Sequence, residues 1–248
     1  MEKNIIIQVK DLEASIEGRV ILKNNTFNIF EKEITVILGA SGAGKTMLLK
    51  HLLGLYKIEH GWVNVLGENM AQLQEEEQNK LYMQLGVFYQ NGGLLNSLTV
   101  AENIALPLEQ LTNLSDELIA HIVWTKLSMV NLLNAYYLYP SELSGGMLKR
   151  AALARAIVMD PVLLFCDEPG SGLDPVSLAS LDELILNLRK QIGMSIVIVT
   201  HEISSILRIA DRIIFLDEGS IIFQGTLKQA LKTDNTQVHH FFKTGNAL

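Results

Sequence analysis

The stretch that most restricts the fold is GASGAGKT, Gly39 to Thr46, set between the apolar run ITVIL and the helix-like run MLLKHLLGL. Gly39, Gly44, Lys45 and Thr46 satisfy the spacing G-x-x-x-x-G-K-[ST], and both flanks are of the required kind, a buried strand before and a helix after. Glycines let backbone N–H groups converge on phosphate oxygens, with Ala40, Ser41, Gly42 and Ala43 completing the loop, and the helix N-terminus adds its partial positive charge. In such a loop Lys45 pairs with the β and γ phosphates of a nucleotide, and the Thr46 hydroxyl coordinates magnesium. The bland alternative, a glycine-rich turn that binds nothing, leaves the matching flanks without a reason.

A buried parallel sheet behind that loop agrees with the composition. Hydrophobic residues make up 48% and charged residues 19% of the 248 residues, and mean hydropathy is +0.24. Strands covered by helices on both faces read as such apolar runs. The longest of them, VLLFC and IVIV, fall far below the roughly 18 residues of a membrane-spanning helix. The N-terminus MEKNIIIQVKDLEAS lacks the long apolar core and cleavage site of a signal peptide, so the chain is expected in the cytosol. The single cysteine, Cys166, excludes an internal disulfide framework and a cysteine metal cluster. A net charge of -7 and a pI near 5.4 argue against nucleic-acid binding, which leaves a basic footprint.

The patterning alternates. NIIIQV, NNTFNIF and EITVIL read as strands, and TMLLKHLLGL as a helix ending near Gly54. A polar helical stretch, NMAQLQEEEQNKLYMQL, leads into a strand, GVFYQ. Asn91 to Tyr139 turns mostly helical, broken at Pro107 and at TNLSDE. PVLLFCDEP and SIVIVTHE are buried strands with helices from Val176 and Ile203 behind them, and DRIIFLDEGSIIFQG is a hairpin turning at Glu218-Gly219. This order predicts an α/β chain with a helical insert, 1–248 as one domain and the helical subdomain over about 91–158.

Two further constellations narrow the chemistry. LLFCDEP puts Asp167 and Glu168 at the end of an apolar strand, where carboxylates emerge beside the phosphate loop of a parallel sheet. Asp167 is the natural magnesium partner, and Glu168 is suited to polarise an attacking water as general base, which points to hydrolysis. The alternative is a solvated acidic pair closing a strand. In LSGGM, Leu143 to Met147, Ser144 can cap the helix that follows, and Gly145 and Gly146 allow its N-terminal amides close to an anion. One chain then carries two phosphate sites. The simplest resolution is that the second serves the nucleotide of another copy.

On these residues the chain resembles the nucleotide-binding subunit of an ABC transporter, from its first strands to the final hairpin. The resemblance implies an α/β P-loop NTPase of the ABC type, with an N-terminal antiparallel β subdomain and a helical subdomain, that binds ATP and Mg²⁺. GASGAGKT matches the Walker A loop, LLFCDE the Walker B strand and LSGGM the signature motif. By the same match Gln90 in VFYQNGG is the Q-loop glutamine, which senses metal and attacking water and links to the helical subdomain. Asp174 closes the D-loop SGLD, and His201 in IVTHE is the switch histidine that contacts the γ phosphate. The expected sites are then Glu168, His201 and Gln90 for catalysis and Thr46, Gln90 and Asp167 for the metal. Nucleotide contacts fall to the Walker A residues, Ile16, Ser144, Gly145, Gly146 and Asp174. Two positions depart from the pattern: Met147 replaces the usual glutamine, and Ile16 stands where an adenine-stacking aromatic is expected.

LSGGMLKRAALARAI and VFYQNGGLLNSLTVAENIALPL are similar to the ATPases of Mla and Mce-type phospholipid transporters of Gram-negative envelopes. That likeness implies a homodimer of ATPase subunits on the cytoplasmic side of the inner membrane. It adds an inner-membrane permease of the MlaE kind, a periplasmic Mce-domain lipid-binding protein and, in some systems, a STAS-domain regulator of the MlaB kind, with phospholipid as cargo and no nucleic acid. Rival readings are another ABC importer or exporter, a non-transport ABC ATPase and a small-molecule P-loop kinase. The kinase leaves LSGGM and His201 unexplained.

Overall fold

The computed structural model describes residues 3–245. In chain order the elements are β1 (Ile5–Ile16), β2 (Arg19–Phe30), β3 (Ile34–Leu38), α1 (Lys45–Leu52), β4 (His60–Val65), β5 (Glu68–Asn69), α2 (Glu75–Tyr82), β6 (Leu85–Phe88), α3 (Val100–Leu111), α4 (Asp116–Met129), α5 (Gly145–Ala156), β7 (Leu163–Asp167), α6 (Pro175–Ile192), β8 (Ser195–Val199), α7 (Ile203–Ile209), β9 (Arg212–Asp217), β10 (Ser220–Thr226), α8 (Leu227–Ala230) and α9 (Thr236–Gly245). The chain forms two compact units: the first runs to Leu81 and resumes at Ser195, and the second is Tyr82–Met194.

The first unit holds an antiparallel sheet in the order β2-β1-β4-β5 and a set of strands in the order β10-β9-β3-β8, in which β3 runs parallel to both β8 and β9. All five residues of β3 and all five of β8 are buried, the non-alternating pattern of strands covered on both faces. The long β1–β2 hairpin instead alternates, with Ile7, Val9, Leu12, Phe27 and Ile29 inside. It continues past Val9 because the register shifts between Val9 and Leu12, with Asp11 in the left-handed region at φ 49°. Such a bulge lets a polar run, KDLEAS, remain strand where the sequence alone shows an apolar run ending at Val9.

The second unit pairs β6 with β7 in parallel, Leu85 opposite Leu163 and Phe88 opposite Cys166, and packs α3, α4 and α5 against one another. Leu163, Leu164, Phe165 and Cys166 have no exposed surface, a burial worth about 1.5–3 kcal/mol for each large apolar side chain. Helix α3 starts from a full capping box, the Thr99 hydroxyl accepting from Glu102 N–H and the Glu102 carboxylate accepting from Thr99 N–H. No described helix is long and apolar enough to cross a membrane.

Three local expectations change. Pro107 lies inside α3 rather than breaking it, and the buried face of Ile104, Ala105 and Leu108 carries the helix through. The break at TNLSDE is present, with Ser115 capping α4. Residues 91–99 form a loop instead of helix, shaped by the buried Asn103, whose amide donates to the carbonyls of Leu95, Leu98 and Thr99 and accepts from Leu95 N–H. Finally, the helical stretch read from Asn69 to Leu85 is helix only over Glu75–Tyr82, and β4 forms in the unassigned stretch before it, pairing Val63 with Val9.

Candidate active site

In the first unit, β3 delivers Gly39 to Thr46 to the carboxyl edge of the parallel strands, and α1 leaves from it. Gly39 has no alternative: a Cβ there would stand 1.9 Å from the Leu216 carbonyl oxygen. Gly44 holds φ 101° as the N-cap of α1 and provides no side-chain cap, so the first-turn N–H groups stay available to an anion. No acidic residue occupies that first turn. The Lys45 ammonium donates to the carbonyls of Gly39 and Ala40, each at 2.9 Å, which lays it across the loop. The loop is also braced from behind, because Gly219 N–H donates to the Ala43 carbonyl and the buried Asn25 amide donates to the Gly219 carbonyl.

His201 follows β8, whose Val199 lies beside Ile37 of β3, so the histidine stands at the same strand edge as the phosphate loop. It is exposed, with Nε2 3.8 Å from the Glu202 carboxylate. Ile16 ends β1 beside the Glu17-Gly18 turn, 46% exposed, and with Val20 gives the hairpin tip an aliphatic surface.

In the second unit the parallel pairing of β6 and β7 brings the ends of both strands to one edge. Gln90 stands two residues beyond β6, Asp167 ends β7, and Glu168 follows in the left-handed region at φ 47°. For a glutamate that backbone costs of order 1–3 kcal/mol, strain of the kind that collects at functional sites. Cys166, immediately before, is fully buried, and burial, then Asp167, push its thiol well above the ordinary range, so it is inert.

The signature segment builds as its sequence suggests. Ser144 caps α5 by accepting from Met147 N–H, and Gly145 and Gly146 are the first two helical residues. A Cβ at either glycine would meet no atom within 4 Å. Nothing in this chain's own packing therefore demands glycine there. Asp174 caps α6, accepting from the N–H groups of Val176 and Ser177 and from the Ser177 hydroxyl, and these Ser177 bonds hold its carboxyl below the usual range. Its carboxylate is thus already engaged in ordering the D-loop.

Sequence reasoning missed the two cations of α5 that secure the Gln90 segment. Lys149 Nζ donates to the Gln90 carbonyl at 2.5 Å and to the Ser171 hydroxyl at 3.2 Å. It also lies 5.6 Å from the Phe88 ring centroid. Desolvation lowers the Lys149 pKa, and the charge of Glu168 opposes that shift. Arg155 donates to the carbonyls of Gly93 and Gly92. The available signal was the presence of Lys149 and Arg155 on the helix that follows the signature motif, which a surface-helix reading would have left in solvent.

Comparison with known proteins identifies the family. Residues 22–171 match the family model described as ABC transporter. The chain is 37% identical over 243 residues to the intermembrane phospholipid transport system ATP-binding protein MlaF of Haemophilus influenzae, covering 98% of this chain and 92% of that one. It is 34% identical to MlaF of Escherichia coli, covering 97% and 90%. It is also 36% identical to a probable ribonucleotide transport ATP-binding protein of Mycobacterium leprae, covering 97% of this chain and 70% of the relative. Among solved structures, a dimeric ATP-binding cassette in a post-hydrolysis state with ADP and Pi superposes with a TM-score of 0.80 at 29% identity, covering 89% of this chain and 98% of its own. CbiO1 of Clostridium perfringens, part of an ABC transporter complex, gives a TM-score of 0.85 at 27% identity over 100% and 96%. The chain belongs to the ABC transporter family, as one of its ATP-hydrolysing cassettes.

Proposed function

We propose that this chain is the ATPase subunit of an inner-membrane ABC transporter that moves phospholipid between the membranes of a Gram-negative envelope, acting as a homodimer on the cytoplasmic face. The observation that carries the paired-site part is the open space above Gly145 and Gly146: glycines that no neighbour in their own chain requires, at the amide end of a capped helix. A second copy's nucleotide fits that requirement. The phospholipid cargo is supported by likeness to the Haemophilus and Escherichia transport proteins, which this chain matches over nine-tenths of their length. The partners follow from the same likeness: a permease, a periplasmic Mce-domain protein and a STAS-domain regulator.

In this reading, amides of residues 39–46 and the Lys45 ammonium hold the β and γ phosphates. Thr46, Asp167 and Gln90 offer oxygen ligands of the hard type that Mg²⁺ takes alongside phosphate oxygens, and Thr46 lies exposed on the first turn of α1. Bound magnesium would neutralise charge developing on the phosphates. Glu168 accepts the proton of the attacking water, His201 contacts the γ phosphate, and Ile16 gives the base an aliphatic rather than aromatic platform. Ser144, Gly145 and Gly146 of the second copy close the site, with Asp174 ordering the adjoining loop.

The test is to tag the Glu168→Gln variant, solubilise membranes gently with Mg-ATP, and identify co-purifying proteins and lipids by mass spectrometry. A permease, an Mce-domain protein and phospholipid support the proposal. A permease without these replaces the cargo, and a chain recovered without membrane partners refutes the transport role.

A further inference from the structure

The buried Lys149 stands one turn inside α5, and nothing in the mechanism above uses it. An ammonium has three donors and no acceptor. Here two of them go to segments without regular structure: the main chain at Gln90, 59 residues away in sequence, and the Ser171 hydroxyl, 22 residues away. Beyond Lys149 on the same helix, Arg155 fixes Gly92 and Gly93, so the segment that follows Gln90 is tied to α5 at two levels. Lys149 thus reaches both the Gln90 main chain and the loop of Ser171, where the Ser171 N–H donates to the Glu168 carbonyl.

Stability alone does not explain such a residue. Replacing a buried polar cluster as a whole by apolar side chains of similar volume is commonly neutral or stabilising, so packing does not by itself call for an ammonium here.

We propose that Lys149 is a positioning residue of the hydrolytic site, whose ammonium ties the Gln90 main chain and the Ser171 loop to the signature helix and thereby fixes where Gln90 and Glu168 stand. The proposal rests on the ATPase reading of the site. When α5 shifts as Ser144, Gly145 and Gly146 engage a nucleotide, the same helix carries Lys149, and with it the Gln90 segment and the loop of Ser171. Engagement of the signature thus reaches the hydrolytic residues of its own chain through one side chain.

The test compares wild type, Lys149→Met, Lys149→Arg, Ser171→Ala and the Lys149→Met/Ser171→Ala double variant of the full-length chain by ATP turnover, calorimetric ATP affinity and thermal unfolding. Lys149→Met should lower kcat about tenfold or more while ATP affinity stays within about threefold of wild type and the chain remains folded at the assay temperature, with some loss of thermal stability because the Gln90 carbonyl is stranded. Lys149→Arg should recover most of the turnover. Ser171→Ala should lower kcat severalfold alone and add little in the Met background, the non-additivity of groups acting through one contact. Unchanged kcat in Lys149→Met, parallel loss of turnover, affinity and folding, an Arg variant no better than Met, or additive losses in the double variant would each overturn the assignment. A wild-type chain that hydrolyses no ATP would overturn the ATPase reading itself, an outcome separate from all of these.

Discussion

Replacing Gly146 with alanine should separate folding from catalysis, and the structure sets the size of each effect. Gly146 is the second residue of α5, outside the left-handed region, and an added Cβ meets nothing within 4 Å. Alanine in place of a helical glycine stabilises by up to about 1 kcal/mol, and near a helix end by less. In a chain of this size that raises the unfolding midpoint by at most about 2–4 °C. Turnover should move the other way. If the amides of Gly145 and Gly146 face the γ phosphate held by a second copy, a methyl group there pushes them out of range. Losing one such donor typically costs 10²–10³ in rate, about 2.7–4 kcal/mol. Differential scanning fluorimetry and a phosphate-release assay on the same preparation read both quantities. A lowered midpoint would mean that glycine serves this chain's own packing, and wild-type turnover would mean that no ligand comes to this surface; either refutes the reasoning.

Lys45→Ala should weaken ATP binding severely, because the loop loses both its phosphate partner and the two bonds that lay the ammonium across Gly39 and Ala40; isothermal calorimetry checks this. Asn25→Leu should lower thermal stability by about 2–5 kcal/mol, since it strands the Gly219 carbonyl and the Ile221 N–H in a buried setting, and chemical denaturation measures it. Asp174 contributes helix-capping stability only while ionised. With its carboxyl held below the usual range, that contribution is present above the ordinary carboxylate pKa and is lost as pH falls through the lowered one. Asp174→Asn should therefore flatten the acid limb of stability against pH.

The parts of this fold that the sequence displays are those written in local pattern. The unbroken apolar runs of β3, β7 and β8, the phosphate loop between strand and helix, the cap at Ser144 and the turn at Glu218-Gly219 all rest on residues close in sequence. What stayed hidden depends on partners far along the chain. Strand β4 contains only two buried side chains, Val63 and Val65, and becomes a strand because β1 lies beside it. The loop of 91–99 reads as helix until Asn103 is seen holding three of its carbonyls. Pro107 marks a break by the usual rule, yet the capping box and buried face of α3 outweigh the lost hydrogen bond. The phosphate loop, Asp167, Glu168 and LSGGM could be read from phosphate chemistry, which allows few alternatives, whereas Gln90, Asp174 and His201 were read only through the family resemblance. Lys149, Arg155 and Asn25 were read in neither way, because a lysine, an arginine or an asparagine on a periodic segment reads as a solvated face until its buried partners are known.

The central claim is that two copies of this chain complete each other's ATP sites. Sedimentation equilibrium of the Glu168→Gln variant, with and without Mg-ATP, tests it most directly, because a chain that binds but hydrolyses on the order of 10²–10⁴-fold more slowly should accumulate in the closed state. The account predicts a doubling of mass that needs Mg-ATP and disappears when Ser144→Arg is added. A chain that binds one ATP per monomer yet keeps its mass, or a dimer indifferent to nucleotide and to Ser144→Arg, would contradict it.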